Sequence, residues 1–184
     1  MIIAISGLKR SGKSVTSHYI SNKYGFKEYA FAGPIKEACS LLFGWSMEHM
    51  ENHKEEIDPI WGVSPRQAMQ WMGTEAFQYS LPAFSRGFMD TIGRNFWVKK
   101  FEQVYNKNKG NYLISDFRFP HEAEALKKYN AITVKVVRDS IKTTDLHESE
   151  IYIQSMNCDF TLYNNGTLQK LYDDIDKIMM ELMA

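Results

Sequence analysis

The chain opens on Ile2-Ile3-Ala4-Ile5-Ser6, a short β-branched run, and passes directly into Gly7-Leu8-Lys9-Arg10-Ser11-Gly12-Lys13-Ser14. A strand with no polar alternation suits burial on both faces, as in a parallel sheet covered by helices. The eight residues are a full G-x-x-x-x-G-K-[ST] phosphate loop, set between a strand and a helix as the motif requires. Its glycines let backbone N–H groups curl around a β-phosphate, and the helix N-terminus adds the positive end of its dipole. Lys13 is then expected to reach the β- and γ-phosphates, and the Ser14 hydroxyl to ligate magnesium. The loop implies a nucleoside triphosphate held by Gly7, Lys9, Arg10, Ser11, Gly12, Lys13, Ser14 and Val15.

Strands and helices alternate along the rest of the chain. A helix is expected from Lys13 to about Lys23, stopped by Gly25, then a strand over 26–31 and a helix from Gly33-Pro34 through Leu42. The stretch 47–61 reads as polar and irregular. Ser64-Pro65 supplies an N-cap with proline at the first helical position, predicting a helix to about Thr74. Arg94 to Lys107 reads as a helix, with Trp97, Phe101, Val104 and Tyr105 on one face. Strands follow over 112–115, 132–137 and 160–163, with a helix over 120–129 and a closing helix over 167–183. In that last helix Leu168, Leu171, Ile175, Ile178, Met179 and Leu182 make one apolar stripe, the signature of core packing. The alternation predicts an α/β/α sandwich around a five-stranded parallel sheet, in the order 2-3-1-4-5. One domain fills 184 residues. Residues 44–92, too long and helical for a crossover, are expected to form a substrate-binding lobe, and the polar stretch 138–150 a lid.

Composition narrows the function. Hydrophobic residues make up 44% of the chain, enough for a packed core, which excludes a disordered chain. Lys plus Arg and Asp plus Glu both number 22, and this balance argues against nucleic acid or an anionic membrane as partner. Cys39 and Cys158 lie far apart, without metal spacing, and read as buried thiols of a reducing compartment. No apolar stretch reaches the length of a membrane span, and Met1–Ile5 has no basic leader. These features together suggest a soluble, cytoplasmic domain.

Chemistry beyond the phosphate loop gathers at Tyr112-Leu113-Ile114-Ser115, which leads into Asp116-Phe117-Arg118. A carboxylate at a strand end suits magnesium, and an arginine two residues on suits a second anion, favouring transfer to a phosphorylated acceptor over hydrolysis. No Asn-Lys-x-Asp motif for reading guanine is present, which argues against a GTPase. Of the six arginines, Arg10, Arg66, Arg118 and Arg138 fall at predicted loop or helix ends, where a planar fork can grip phosphate bidentately. His121 and His147 lack paired ligands at metal spacing and read as hydrogen-bonding or capping residues. Trp61, Trp71, Phe77, Tyr79, Phe84 and Phe88 include candidates for stacking a base, most of them expected in the core.

Six blocks, in order, resemble the phage-type deoxynucleoside monophosphate kinases. They are 9–13, Ala32-Gly33-Pro34-Ile35-Lys36, Arg66 to Glu75, Asp116-Phe117-Arg118-Phe119-Pro120-His121-Glu122, His147-Glu148-Ser149-Glu150 and Asn164-Asn165-Gly166-Thr167-Leu168. They span nearly the whole chain, although only the phosphate loop is specific by itself. Two departures stand out: Ser14, with Thr16 as a second hydroxyl, occupies a position where members often carry Asp, and the segment between Gly44 and Ser64 is shorter than in the larger members.

The resemblance implies transfer of the ATP γ-phosphate to a deoxynucleoside 5′-monophosphate. Lys13, Asp116, Arg118 and Arg10 are the implied catalytic residues, with Ser14 and Asp116 on magnesium. Arg66, Gln70, Trp71, Gly73, Thr74, Arg118 and Glu150 are implied around the acceptor, Arg138 as a lid arginine, and Asn165 and Gly166 beside the adenine. A homodimer is compatible with this reading. The competing readings are a phosphomevalonate-type kinase, a non-catalytic ATP-binding sensor and a nucleic-acid-dependent ATPase, the last disfavoured by the zero net charge.

Overall fold

The computed structural model describes residues 1–141 and 148–184. The elements run β1 (Ile2–Ser6), α1 (Lys13–Tyr24), β2 (Lys27–Tyr29), α2 (Ala32–Phe43), α3 (Met47–Asn52) and α4 (Pro65–Gln70). A π-helical stretch, Trp71–Ser80, continues α4 and leads into α5 (Leu81–Phe84), α6 (Arg86–Thr91) and α7 (Phe96–Lys107). Then come β3 (Tyr112–Ile114), α8 (Pro120–Leu126), β4 (Ile132–Val137), α9 (Glu148–Ser155), β5 (Phe160–Tyr163) and α10 (Leu168–Met183). They divide into two compact units, Met1–Ala30 with Gln103–Ala184, and Phe31–Glu102. The segment 44–92 lies inside the second unit.

The first unit is built on a five-stranded sheet in the expected order, β2-β3-β1-β4-β5. Every pairing is parallel, with Ile3 opposite Leu113 on one side and Ile132 on the other. All five residues of β1 are buried, as a strand between two neighbours and under helices must be. One side of the sheet packs Ile3, Ile5, Leu113, Val134 and Leu162 against Ile20 of α1 and Leu171, Ile175 and Met179 of α10. Each such side chain withdrawn from water contributes roughly 1.5–3 kcal/mol. The same two helices are joined at Asp176, which accepts from Tyr24 Oη at 2.7 Å, Lys23 Nζ at 2.6 Å and Tyr19 Oη at 3.0 Å, while the Tyr19 ring stacks on Tyr172 at 4.0 Å.

Several expectations are corrected. Leu168, in the first turn of α10, is 54% exposed, so the buried stripe begins at Leu171. Val104 of α7 is exposed although it shares a predicted face with Trp97 and Phe101, and Cys158 is half-buried where Cys39 is buried. The stretch 47–61 contains α3, whose N-cap Ser46 accepts from His49 N at 3.0 Å. The helix expected to end near Thr74 runs on as the π-helix through Ser80. Helix α9 begins at Glu148, within the stretch 138–150 expected as a lid.

In the second unit Ser64 caps α4 through a reciprocal pair, with Gln67 N donating to Ser64 Oγ at 3.3 Å and Ser64 N to Gln67 Oε1 at 2.9 Å. Gly73 lies under Ile35 of α2, where a Cβ would come within 2.9 Å of Ile35 Cδ1. Its carbonyl accepts from Trp97 Nε1 at 2.7 Å and Gln78 Nε2 at 3.1 Å, satisfying an acceptor that π winding displaces from the α pattern. Among the described residues no helix is long and apolar enough to cross a membrane.

Candidate functional site

The phosphate loop leaves β1 at its C-terminal end and turns on three left-handed positions, Gly7 (φ 150°), Arg10 (φ 68°) and Gly12 (φ 111°). Such interspersed left-handed residues turn successive N–H groups toward one side, the geometry of an anion nest. A left-handed non-glycine residue costs on the order of 1–3 kcal/mol and persists only where its surroundings enforce it. Here Ser11 N donates to Leu8 O at 3.1 Å and Asn164 Nδ2 to Ser11 O at 2.9 Å, so the β5–α10 turn props the loop from outside. Helix α1 has no side-chain N-cap bond and no acidic residue in its first turn, so its N-terminal dipole is not offset by its own side chains.

Lys13 folds along the loop and donates to Gly7 O at 2.6 Å and Leu8 O at 2.8 Å. Burial pushes its pKa down to about 8; the Arg118 guanidinium pushes the same way, opposed by Glu150 and Asp116. The ammonium therefore remains the major form at neutral pH. Ser14 and Val15 are exposed in the first turn of α1, whereas Thr16 is buried, its hydroxyl without a hydrogen-bond partner among the described residues. Lys9 and Arg10 are exposed on the rim. Ser14 and Asp116 offer a hydroxyl and a carboxylate, hard oxygen donors of the kind magnesium takes alongside phosphate oxygens. Among the described residues there is no cluster of three or more His, Cys, Asp or Glu able to cage a metal.

At the end of β3 the backbone of Asp116-Phe117-Arg118 is held from α8. Glu122, 4% exposed, accepts from Arg118 N at 2.8 Å and Phe119 N at 3.0 Å. The Arg118 guanidinium is held from α9: Nη1 donates to Glu150 Oε1 at 2.8 Å and to Ser149 Oγ at 3.4 Å. Glu150, expected at the acceptor, is thus a buried partner of Arg118. Arg138 is exposed at the end of β4, and Asp139 beside it exchanges bonds with Asn165, Asp139 N to Oδ1 at 2.9 Å and Nδ2 to Asp139 Oδ2 at 2.8 Å. Gly166 is exposed in the same turn. The described residues thus bring together Lys13, Asp116, Arg118 and Glu150, with Asn164 at the loop. His121 stacks on Phe119 at 5.3 Å; His147 and the lid residues 142–147 lie outside the described residues.

Glu122 gives a pH prediction. Burial raises its pKa to about 7 from 4.5; the two backbone N–H groups and Arg118 lower it and Asp116 adds to the rise. A raised carboxyl contributes stability that is fully present below about pH 4.5 and lost as pH rises through about 7, a change of about 3 kcal/mol. Urea melts of the wild type and of Glu122→Gln, whose amide oxygen can still accept from both N–H groups, are expected to show the wild type losing stability relative to the variant across that window. Parallel curves would remove the buried carboxyl from the explanation.

The second unit holds the remaining acceptor candidates. Arg66 Nη1 pairs with Glu55 Oε1 at 3.2 Å. Steps of four residues overshoot an α turn of about 3.6 but fall short of the wider π turn. The switch at Trp71 therefore keeps Gln70, Thr74 and Gln78 near one face instead of letting them spiral away from Arg66. Thr74 and Gln78 are buried; Gly73 is occupied structurally by Ile35, Trp97 and Gln78. Arg94, which could join the acceptor site or merely face solvent, lies over the Tyr79 ring at 4.2 Å. The aromatics expected in the core are more exposed than predicted: Trp61 48%, Trp71 59%, Tyr79 37% and Phe84 89%, while Phe77 and Phe88 pack on Phe96.

A phosphate loop at the end of the central strand of an all-parallel 2-3-1-4-5 sheet defines the fold of the phosphate-loop kinases. A dephospho-CoA kinase from Campylobacter jejuni shares that fold at a TM-score of 0.50 and 14% identity, the match covering 98% of this chain and 96% of that one. The model of the deoxynucleotide monophosphate kinase family matches residues 1–62 and 44–175, and the chain belongs to that family. The two matches overlap over 44–62, within the segment where the sequence departs from larger members. A protein of Acanthamoeba polyphaga mimivirus, given this kinase name provisionally, is 32% identical over 181 residues, covering 95% of this chain and 94% of that protein. The deoxynucleotide monophosphate kinase of Escherichia phage RB69 is 25% identical over 97% of this chain and 99% of its own length.

Proposed function

We propose that the chain transfers the γ-phosphate of ATP to a deoxynucleoside 5′-monophosphate in the cytoplasm, in a host cell if the protein is viral. The observation that carries this reading is the pairing of two cations on one edge of the first unit. Lys13 lies within the loop, and Arg118 stands near enough to lower its pKa. A hydrolase needs one anion site and a positioned water; a kinase acting on a phosphorylated acceptor needs a cation for each polyanion.

Both reacting groups are already anionic at neutral pH, so catalysis consists of holding them in line and neutralising the migrating charge. The loop amides and Lys13 hold the donor. The Gly7 and Gly12 cradle, the open helix N-terminus and the Ser14 hydroxyl fit a magnesium nucleotide, with Asp116 as the second oxygen donor. When bound, magnesium would neutralise charge on the β- and γ-oxygens. Arg118 grips the acceptor phosphate. Arg10 and Arg138, on exposed turns of the same unit, supply further positive charge toward ATP, with Asn165 and Gly166 toward the adenine. Within the second unit, taken by itself, Arg66, Gln70, Trp71 and Thr74 are the residues that the family resemblance assigns to a nucleoside monophosphate.

An ADP-release assay with ATP and magnesium tests this across dAMP, dCMP, dGMP, dTMP, hydroxymethyl-dCMP, the ribonucleotides and phosphomevalonate. Turnover with at least one deoxynucleotide is expected. Turnover with phosphomevalonate alone would replace the acceptor class, and ATP binding without any turnover would make the chain a sensor. Arg118→Ala is expected to lower kcat/KM for the acceptor about 100-fold, with less than a threefold change in KM for ATP. Unchanged acceptor kinetics would remove Arg118 from the clamp.

A further inference from the structure

The Arg118 fork is used asymmetrically. Nη1 carries both side-chain bonds, to Glu150 Oε1 and Ser149 Oγ, while Nε and Nη2 donate to no described residue. Glu150 is 3% exposed and Ser149 is equally buried, whereas the Arg118 side chain is 41% exposed. The carboxylate thus sits behind the guanidinium, away from water, and the free edge is the exposed part. A buried carboxylate would be costly unless held by a cation and hydrogen bonds, and Arg118 supplies both. Glu122 fixes the backbone N–H of the same residue from α8, so two helices grip one arginine at its two ends.

We infer that Glu150 is a positioning residue of the acceptor clamp: it holds Arg118 by Nη1 so that the Nε–Nη2 edge faces the acceptor phosphate, and does not itself bind the nucleotide. This rests on the deoxynucleotide kinase reading above and assigns Glu150 a role different from the substrate contact that the sequence resemblance implies. The geometry favours it because a carboxylate beside an acceptor phosphate would repel it, whereas a carboxylate behind the arginine leaves the opposite edge matched to two phosphate oxygens. A long flexible arginine without the brace would sample many rotamers and meet the phosphate in few of them.

A double-mutant cycle tests the assignment, with Glu150→Gln, Glu150→Asp, Arg118→Ala and Glu150→Gln/Arg118→Ala assayed against ATP and the best deoxynucleotide. Glu150→Gln is expected to lower kcat/KM for the acceptor about 10-fold or more with KM for ATP within twofold, and Glu150→Asp to recover part of the loss. In the Arg118→Ala background the second substitution is expected to cost less than twofold, because its effect runs through the arginine. Full additivity would overturn the inference and make Glu150 a substrate contact, and unaltered acceptor kinetics in Glu150→Gln would overturn it by removing Glu150 from the clamp. Thermal melts of each variant separate these outcomes from loss of fold, with Glu150→Asp as the charge-retaining backup. Absence of deoxynucleotide turnover in the wild type would instead overturn the functional reading on which the inference rests.

Discussion

Lys13→Ala is expected to lower kcat for phosphoryl transfer by about a thousandfold or more, with stability within about 1 kcal/mol of the wild type. An ammonium has three donors, and two of them bond to the carbonyls of Gly7 and Leu8. Those bonds lay the side chain along the loop, so the charge sits where phosphate oxygens arrive. In a desolvated site a single charge is worth more than in water, and burial is the first cause of the lowered Lys13 pKa. The charge spread over the migrating phosphoryl group makes the interaction grow toward the transition state, so kcat falls along with affinity. Steady-state kinetics with a saturating deoxynucleotide measure this, and a melt checks that the fold persists. A variant within tenfold of wild-type kcat would mean that the loop amides and magnesium carry the transfer without the lysine.

The readable parts of this chain are those whose partners are close in sequence. The phosphate loop declares itself because strand, glycines, lysine and helix are contiguous, β1 because residues 2–5 are apolar as a strand covered on both faces must be, and β4 because it is rich in valine. Helix α9 is hidden for the opposite reason. Its inward positions include Ser149 and Glu150, so the buried face of Glu148-Ser149-Glu150-Ile151 reads as a polar loop. The π stretch is hidden because the pattern of Trp71–Ser80 is compatible with an α-helix, and the change in winding arises in the second unit, where Gly73 lies under Ile35 and its carbonyl is bonded by Trp97 and Gln78.

Site residues follow the same division. Arg118 is visible as an arginine after a strand, but its partner Glu150 lies 32 residues on, and Asn164 reaches Ser11 across 153 residues. No local pattern marks either pair. Glu122 lies within the same short block as Arg118, yet its purpose is a backbone grip that composition does not announce. The expectation that most of the aromatics lie in the core misleads for a physical reason too. Aromatic residues are assigned to cores on average burial, whereas Trp71, Trp61 and Phe84 stand on exposed faces of the second unit.

Gly7→Ala is expected to destabilise the first unit by about 3 kcal/mol or more and to abolish ATP binding in the remaining folded protein. A Cβ there would stand 2.5 Å from Val136 O and 2.7 Å from Ser11 Oγ, at φ 150°. The serine hydroxyl can rotate away. The Val136 carbonyl cannot, because β4 is held in register between β1 and β5. Relief must come from displacing the loop, which removes the anion nest, or from opening the sheet. Gly12→Ala provides the contrast. Its Cβ would meet the Asn164 amide, a side chain that can swing aside at the cost of its bond to Ser11 O. Gly12→Ala is therefore expected to weaken nucleotide binding while costing less stability than Gly7→Ala. Denaturant melts and ATP titrations of both variants give the ranking. Equal stabilities would mean that left-handed backbone strain, common to both positions, outweighs the contact with Val136.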